Sequence, residues 1–363
     1  MSAYLASLGT AVPDMTVTNA ESLYIANYLC GPYLTDADWL PNVYEQCGVQ
    51  TRHQVVGRAL VDDLLAGTRH SGSPFLPGSP GGPTTAERMA VYAREAPALA
   101  LAATRKAFES CSISCKNITH IVTVSCTGFV APGIDSSLIR ALPLSADVQR
   151  THVGFMGCHG AINGLRVAAA ITSADPKAIV LLVAVELCSL HCYYGAEPAK
   201  VIANALFGDG AAAAIITGMP TGTKILATGS HLMPDSEREM AWIIGDHGFT
   251  MTMTKQIPKL INTHLRSWLE PWLEQQGHPS EEIDHWAVHP GGPKILDAVQ
   301  EAMTLPHNAL TTSREVLSQY GNMSSPTVLF ILNLLRQRSE RGVTLLLGFG
   351  PGLVTEAVLL DLK

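Results

Sequence analysis

The stretch "GFMGCHGAINGLRVAAAITSADPKAIVLLVAVEL", residues 154–187, decides the fold. Behind Cys158, apolar residues recur at Ile162, Leu165, Val167 and Ala168, a helical spacing that predicts a helix over 159–173. The run "AIVLLVAVEL", 178–187, then stays apolar without alternation. A strand of that kind belongs to a sheet covered by helices on both faces.

Outward from this unit, further strand-like runs lie at 120–126, 211–218, 283–290 and 342–350, and 94–112 is predicted helical. Strands alternating with helices predict a layered α/β fold. "GVTLLLGFGPGLVTEAVLLDL" predicts two strands across a Gly-Pro-Gly turn, ending the chain in the core. A change of character near 220–235 suggests two halves, 1–222 and 223–363. The Gly-, Pro- and Ser-rich segment 66–88 is predicted to be a long surface loop, an insertion or a cover over an entrance.

The 363 residues are 47% hydrophobic and 15% charged, enough apolar material for a large core. A net charge of -7 with no basic stripe argues against a nucleic-acid partner. The N-terminal residues lack a basic segment followed by an apolar run, and the ten-residue run at 178–187 is too short to span a bilayer. No stable membrane insertion is therefore expected. Eight cysteines without regular spacing or an export signal suggest reduced thiols and a cytoplasmic location.

Three positions carry chemistry. Small residues at Gly157 and Gly160 allow a sharp start to the predicted helix, leaving Cys158 near its N-terminus, where amides and dipole favour a thiolate. A buried structural cysteine is the competing reading. His159 points elsewhere on a helix and is no obvious base. His289 ends a strand-like run at the turn Pro290-Gly291-Gly292-Pro293, a placement common in α/β active sites, although backbone bonds alone would also satisfy it. His285 shares its face but lies farther from the turn. Asn322 stands in a glycine turn before Ser324, Ser325 and Pro326 open a helix. It suits either an Asx-turn or an amide donor in a pocket. Zinc is a poor alternative: Cys111 and Cys115, or Cys188, His191 and Cys192, form no paired CxxC arrangement.

The segments "GFMGCHGAINGLRVA", "ALFGDGAAAAII", "HWAVHPGGPKILDAV", "TTSREVLSQYGNMSSPTVLFIL" and "GFGPGLVTEAVLL" closely resemble the type III polyketide synthases, the chalcone and stilbene synthase family. The match runs in order through most of the chain. "HPGGP" stands where ketoacyl synthases of the initiating type carry a His-Gln-Ala-Asn context. The resemblance implies a thiolase-like five-layered αβαβα fold of two related halves, assembled as a homodimer. It implies Cys158 as acyl carrier, His289 as its activating partner and Asn322 as a second oxygen-polarising donor. Acyl-CoA and malonyl-CoA would be the substrates, with no metal or other cofactor, and iterative decarboxylative condensation the reaction. A single-condensation ketoacyl-CoA or ketoacyl-carrier-protein synthase and a catalytically silent dimeric scaffold are the alternatives.

The same resemblance marks pocket positions. Phe207 matches an aromatic gate. Met251 falls where the family often has a second phenylalanine, with Phe249 two residues earlier. Cys126, Cys188 and His191 fall where plant members carry threonines, several bacterial members having cysteine at the first. Ser324 matches a pocket serine, and Gly291 and Gly292 would flank the pantetheine passage. Arg52, His53 and Arg58 are the candidates for the CoA phosphates.

Overall fold

The computed structural model describes residues 3–36, 38–76, 78 and 81–363. The first half comprises β1 (Ala3–Ala11), β2 (Thr16–Thr18), α1 (Asn19–Leu29), α2 (Trp39–Gln46), β3 (Thr51–His53), α3 (Arg58–Ala66), α4 (Thr85–Glu109), β4 (His120–Ser125), α5 (Ile134–Ala141), β5 (Gln149–Gly154), α6 (Gly160–Ala174), β6 (Ile179–Leu187), α7 (Pro198–Leu206) and β7 (Asp209–Thr217). The second comprises β8 (Thr223–Leu232), β9 (Met240–Gly245), β10 (Gly248–Met253), α8 (Ile257–Gln275), β11 (His285–Val288), α9 (Pro293–Ala302), α10 (Thr311–Tyr320), α11 (Thr327–Gln337), β12 (Gly342–Gly350) and β13 (Val354–Leu362).

Every residue of β6 is buried, and successive side chains enter different cores. Leu181 and Val183 face Ala96, Ala100 and Ala103 of α4. Val180, Leu182 and Ala184 face the other way, onto Ile162 and Leu165 of α6 in the core that also holds Leu329 and Leu332 of α11. On the far side of that core, Leu346, Val358 and Leu360 of β12 and β13 face inward. Their neighbours Leu345, Leu347 and Leu359 face outward onto Ile261, Leu265 and Leu269 of α8. The order is helix, sheet, helix pair, sheet, helix: the five layers expected. Each fully buried aliphatic side chain contributes roughly 1.5–3 kcal/mol, so both faces of each sheet are held firmly.

The strands form one hydrogen-bonded sheet in the order β11-β12-β13-β8-β1-β7-β6-β4-β5. Its two parts meet only where Ala3–Leu5 of β1 pair with Thr223–Ile225 of β8. On either side of this joint the same unit recurs. In β4-β6-β7-β1 the pairings run parallel, antiparallel, antiparallel, and β11-β12-β13-β8 repeats them. α6 precedes β6 as α11 precedes β12, so the two inner helices are counterparts.

The predicted helix at 94–112 in fact starts at Thr85, and the loop expected to end at 88 ends earlier. Thr84 and Glu87 form a capping box there, a Thr-x-x-Glu signal inside the segment assigned to the loop. Nor does that segment stay on the surface, because Phe75 and Leu76 are buried.

Candidate active site

Both inner helices begin at the same place, beyond the carboxyl ends of β4, β6, β11 and β12. Cys158 sits in the single turn Gly157–His159 that leads into α6. Gly157 has φ 78°, and a Cβ there would lie 2.5 Å from Pro351 Cδ, so the sharp approach to the cysteine requires glycine. Asn322 and Ser324 occupy the corresponding turn before α11, and both act to lower the pKa of the buried Cys158 thiol. Asn322 Oδ1 accepts the Ser324 amide at 2.8 Å, which leaves its NH2 group as the donating end. Its backbone is clamped to the segment carrying Phe207, through Asn322 N to Leu206 O at 2.8 Å and Gly208 N to Asn322 O at 3.0 Å.

His289 follows β11 directly, its amide donating to Leu347 O at 2.8 Å. The ring is buried, and neither nitrogen has a partner among the described residues. His159 lies behind the thiol, its Nδ1 2.7 Å from Asn163 Oδ1. It packs so closely under β12 that a Cβ on Gly350 would stand 2.3 Å from its ring. Its nearby positive charge would oppose one on His289. Burial, more than that repulsion, pushes His289 down to about 3 and Cys158 up to about 11. Ser324 and Asn322 pull the thiol back only partly. Without substrate the site therefore holds a neutral thiol and a neutral imidazole, where position at a helix N-terminus alone predicts a thiolate.

One residue that the sequence reading passed over organises this cluster. Glu186 is fully buried at the end of β6, and its carboxylate accepts from Cys126 N at 3.0 Å, Thr127 N at 3.0 Å, Thr127 Oγ1 at 2.7 Å and Ser325 Oγ at 2.6 Å. It thus ties the end of β4 to the start of α11. Burial raises its pKa, with no ion-pair partner among the described residues to offset this, and its charge in turn raises Cys126, Cys158 and Cys188. A lone carboxylate in "AIVLLVAVEL" was the available signal.

A cavity of about 230 Å³ opens at the thiol. Cys126, Cys188, His191, Phe207, Met251 and Ser324 line it with Cys158, whereas His289, Asn322, Gly291 and Gly292 lie outside its lining. Cys126 Sγ is 3.4 Å from Ser324 Oγ. Both His191 nitrogens are occupied: Nε2 donates to Thr127 O at 2.7 Å, and Nδ1 accepts from Phe249 N at 2.9 Å. This leaves no lone pair for a metal, and burial holds the ring neutral, with a pKa of about 3. His191 therefore offers only its ring, stacked on Phe249 at 4.3 Å. Trp242, paired across the hairpin with Met251, completes this wall and donates Nε1 to Cys126 O at 2.7 Å. No group of three or more metal-ligating side chains occurs among the described residues.

Of the phosphate candidates, Arg52 is withdrawn. It is buried and caps α7, donating to the carbonyls of Asn204 at 2.8 Å, Ala205 at 2.5 Å and Phe207 at 3.0 Å. His53 Nδ1 lies 2.9 Å from Pro13 O, and Arg58 pairs with Glu21 at 2.6 Å near the surface.

The chain matches the family models for chalcone and stilbene synthases, the N-terminal domain over residues 2–220 and the C-terminal domain over 224–362. A 1,3,6,8-tetrahydroxynaphthalene synthase of Streptomyces peucetius is 33% identical over 98% of this chain and 92% of its own length. An alpha-pyrone synthesis polyketide synthase-like protein of Mycobacterium tuberculosis is 28% identical over 99% and 91%. Among solved structures, PKS-I of the brown alga Ectocarpus siliculosus superposes with a TM-score of 0.88 at 27% identity, covering 99% of this chain and 98% of the other.

Proposed function

The chain belongs to the chalcone and stilbene synthase family and is a type III polyketide synthase, an acyltransferase; from that premise we propose that Cys158, His289 and Asn322 divide the reaction between them. Cys158 sulfur attacks the carbonyl of a starter acyl-CoA while its proton passes to His289. The acyl–sulfur bond to CoA breaks, and CoA leaves as the thiol on taking the proton back. The imidazole of His289 is suited to this transient role, since no group among the described residues bonds its nitrogens. Malonyl-CoA then binds with its thioester oxygen toward His289 and the NH2 of Asn322. Loss of carbon dioxide leaves an enolate whose oxygen these donors stabilise. The enolate carbon attacks the Cys158 thioester, frees the sulfur and yields a β-ketoacyl-CoA two carbons longer, which reloads for the next round.

The observation that carries this reading is the meeting of two equivalent helix starts, one presenting Cys158 and the other Ser324 to one cavity, with Asn322 in the same turn as Ser324. The scheme uses CoA thioesters and requires no further cofactor. A second copy of the chain is the proposed partner. Edge strand β5 is exposed along most of its length, and Phe129, Val130 and Met156 are exposed. No helix among the described residues is long and apolar enough to cross a membrane. The eight cysteines are all free, in keeping with a reducing, cytoplasmic setting. Residues 1–222 and 223–363 remain the proposed domain division.

The test is incubation with a panel of starter acyl-CoAs and labelled malonyl-CoA, following carbon dioxide, Cys158 adducts and products. Starter adducts and extended products are expected. Folded protein that forms neither would overturn the assignment, and products of one extension only would favour a single-condensation enzyme.

A further inference from the structure

Cys158 and His289 come from different halves of the chain, and no hydrogen bond among the described residues joins their side chains. Each is fixed to its own framework. Cys158 lies in the turn that starts α6, and the His289 amide donates to Leu347 O of β12 at 2.8 Å. The distance between thiol and imidazole is therefore set by how α6 seats on β12. Next to the thiol, one side chain fills that contact: His159.

β12 offers it a groove. Leu346 faces the inner helices, so Gly348 and Gly350, two and four residues on, face them too and bring no side chain. A Cβ on Gly348 would lie 3.2 Å from His159 Cβ, and one on Gly350 would lie 2.5 Å from His159 Nε2. The buried ring is held from behind, its Nδ1 2.7 Å from Asn163 Oδ1, one turn along α6. Nε2 has no partner among the described residues, so the ring meets β12 through contact and not through a hydrogen bond. A further turn along the same face, Arg166 binds Glu356 at 2.6 and 3.1 Å, and Glu356 is the β13 residue paired with Gly348. His159, Asn163 and Arg166 thus form one stripe of α6, anchored at both ends on the strands of the second half.

We propose that His159 is a positioning residue, its ring the spacer that sets Cys158 against His289 for the proton transfer of loading. It acts through its shape; this rests on the reading of Cys158 as acyl carrier and of His289 as its activating partner. Such a spacer bears on one step only. Loading needs the thiol within reach of the imidazole, and a misplacement of about 1 Å costs on the order of 10²-fold in a step of that kind. Decarboxylation of malonyl-CoA uses His289 and Asn322, both carried by the second half, and needs no contact with Cys158.

The experiment measures two rates in the full chain. One is Cys158 acylation, by intact-protein mass spectrometry with the fastest-loading of acetyl-, hexanoyl- and benzoyl-CoA; the other is carbon dioxide release from labelled malonyl-CoA. His159→Ala should slow loading about 100-fold while carbon dioxide release stays within about threefold. His159→Phe keeps a ring in the groove and should load within about fivefold of the wild-type rate. Gly350→Ala pushes the ring out of the groove and should also slow loading alone. The double variant His159→Ala with Gly350→Ala should be no slower than the slower single one, because the added methyl then has no ring to push. Two independent defects would instead multiply, to about 10⁴-fold. Loading and carbon dioxide release that fall together, loading unmoved in His159→Ala, a Phe variant as slow as the Ala one, or multiplying effects would each overturn the spacer. Wild-type protein that forms no adduct with any of the thioesters would strike instead the reading of Cys158 on which it rests.

Discussion

Replacing Glu186 tests whether the site is held together through its carboxylate. Five donors converge on it: the amides of Cys126 and Thr127 and the hydroxyls of Ser125, Thr127 and Ser325. In Glu186→Ala the hydroxyls can turn to other acceptors, but the two amides cannot. A buried donor left without a partner costs about 1–3 kcal/mol, so the pair costs about 2–6, with ~4 as the central value. Relief from burying an uncompensated carboxylate offsets part of this. Glu186→Gln keeps the volume and one acceptor oxygen, and the hydroxyls can accept from its NH2 group, so about 1–2 kcal/mol is expected. At roughly 2 °C per kcal/mol for a chain of this size, melting should fall by about 8 °C in the first variant and about 3 °C in the second. The Gln variant also removes a charge that raises Cys158. Removing a nearby negative charge favours the thiolate, so the midpoint of the pH profile for iodoacetamide alkylation of Cys158 should move down. About one pH unit corresponds to ~1.4 kcal/mol of repulsion. Thermal scans and alkylation profiles of the three proteins check both effects. Equal melting of the two variants, or an unmoved alkylation midpoint in Glu186→Gln, would refute the reasoning.

Acid should destabilise the fold. His191 and His289, held neutral to about pH 3, bind fewer protons folded than unfolded, and below pH 6.5 this removes about 2 kcal/mol each by pH 5. Asp209 opposes them: burial lifts it to about 6, so protonation on the way to pH 5 returns about 1.4 kcal/mol. A net loss of roughly 3 kcal/mol between pH 7 and pH 5 is expected in denaturant titrations, and His191→Phe should flatten it. Asn322→Ala should retain starter loading but lower malonyl-CoA decarboxylation by about 10²–10³-fold, the worth of one oxyanion donor; carbon dioxide release measured beside adduct mass separates the two. Cys126→Ser should change the product profile by mass spectrometry while loading stays within about threefold, because the Cys126 amide, not its thiol, is what Glu186 holds.

The layers were legible because they are written in local patterns. The run at 178–187 is apolar throughout and is buried throughout, and the spacing behind Cys158 is that of the helix it forms. Failures came where meaning depends on a distant partner. Arg52 reads as a surface cation among other basic residues, yet the end of α7, more than 150 positions away, takes its donors. Trp242 reads as one more hydrophobic until the hairpin sets it opposite Met251, against the Cys126 carbonyl. Glu186 is the clearest case. Its role depends on register: with Val180, Leu182 and Ala184 facing the inner helices, residue 186 faces them too, at the strand end where both helices begin. A slip of one residue would turn every β6 side chain to the other face, exchanging one apolar set for another at little cost, except that the carboxylate would leave Ser325, Thr127 and the Cys126 amide without an acceptor. The one charged residue in the strand thus penalises the register that its apolar residues would tolerate. Fixing β6 in the sheet and tying the end of β4 to the start of α11 are therefore the same interaction.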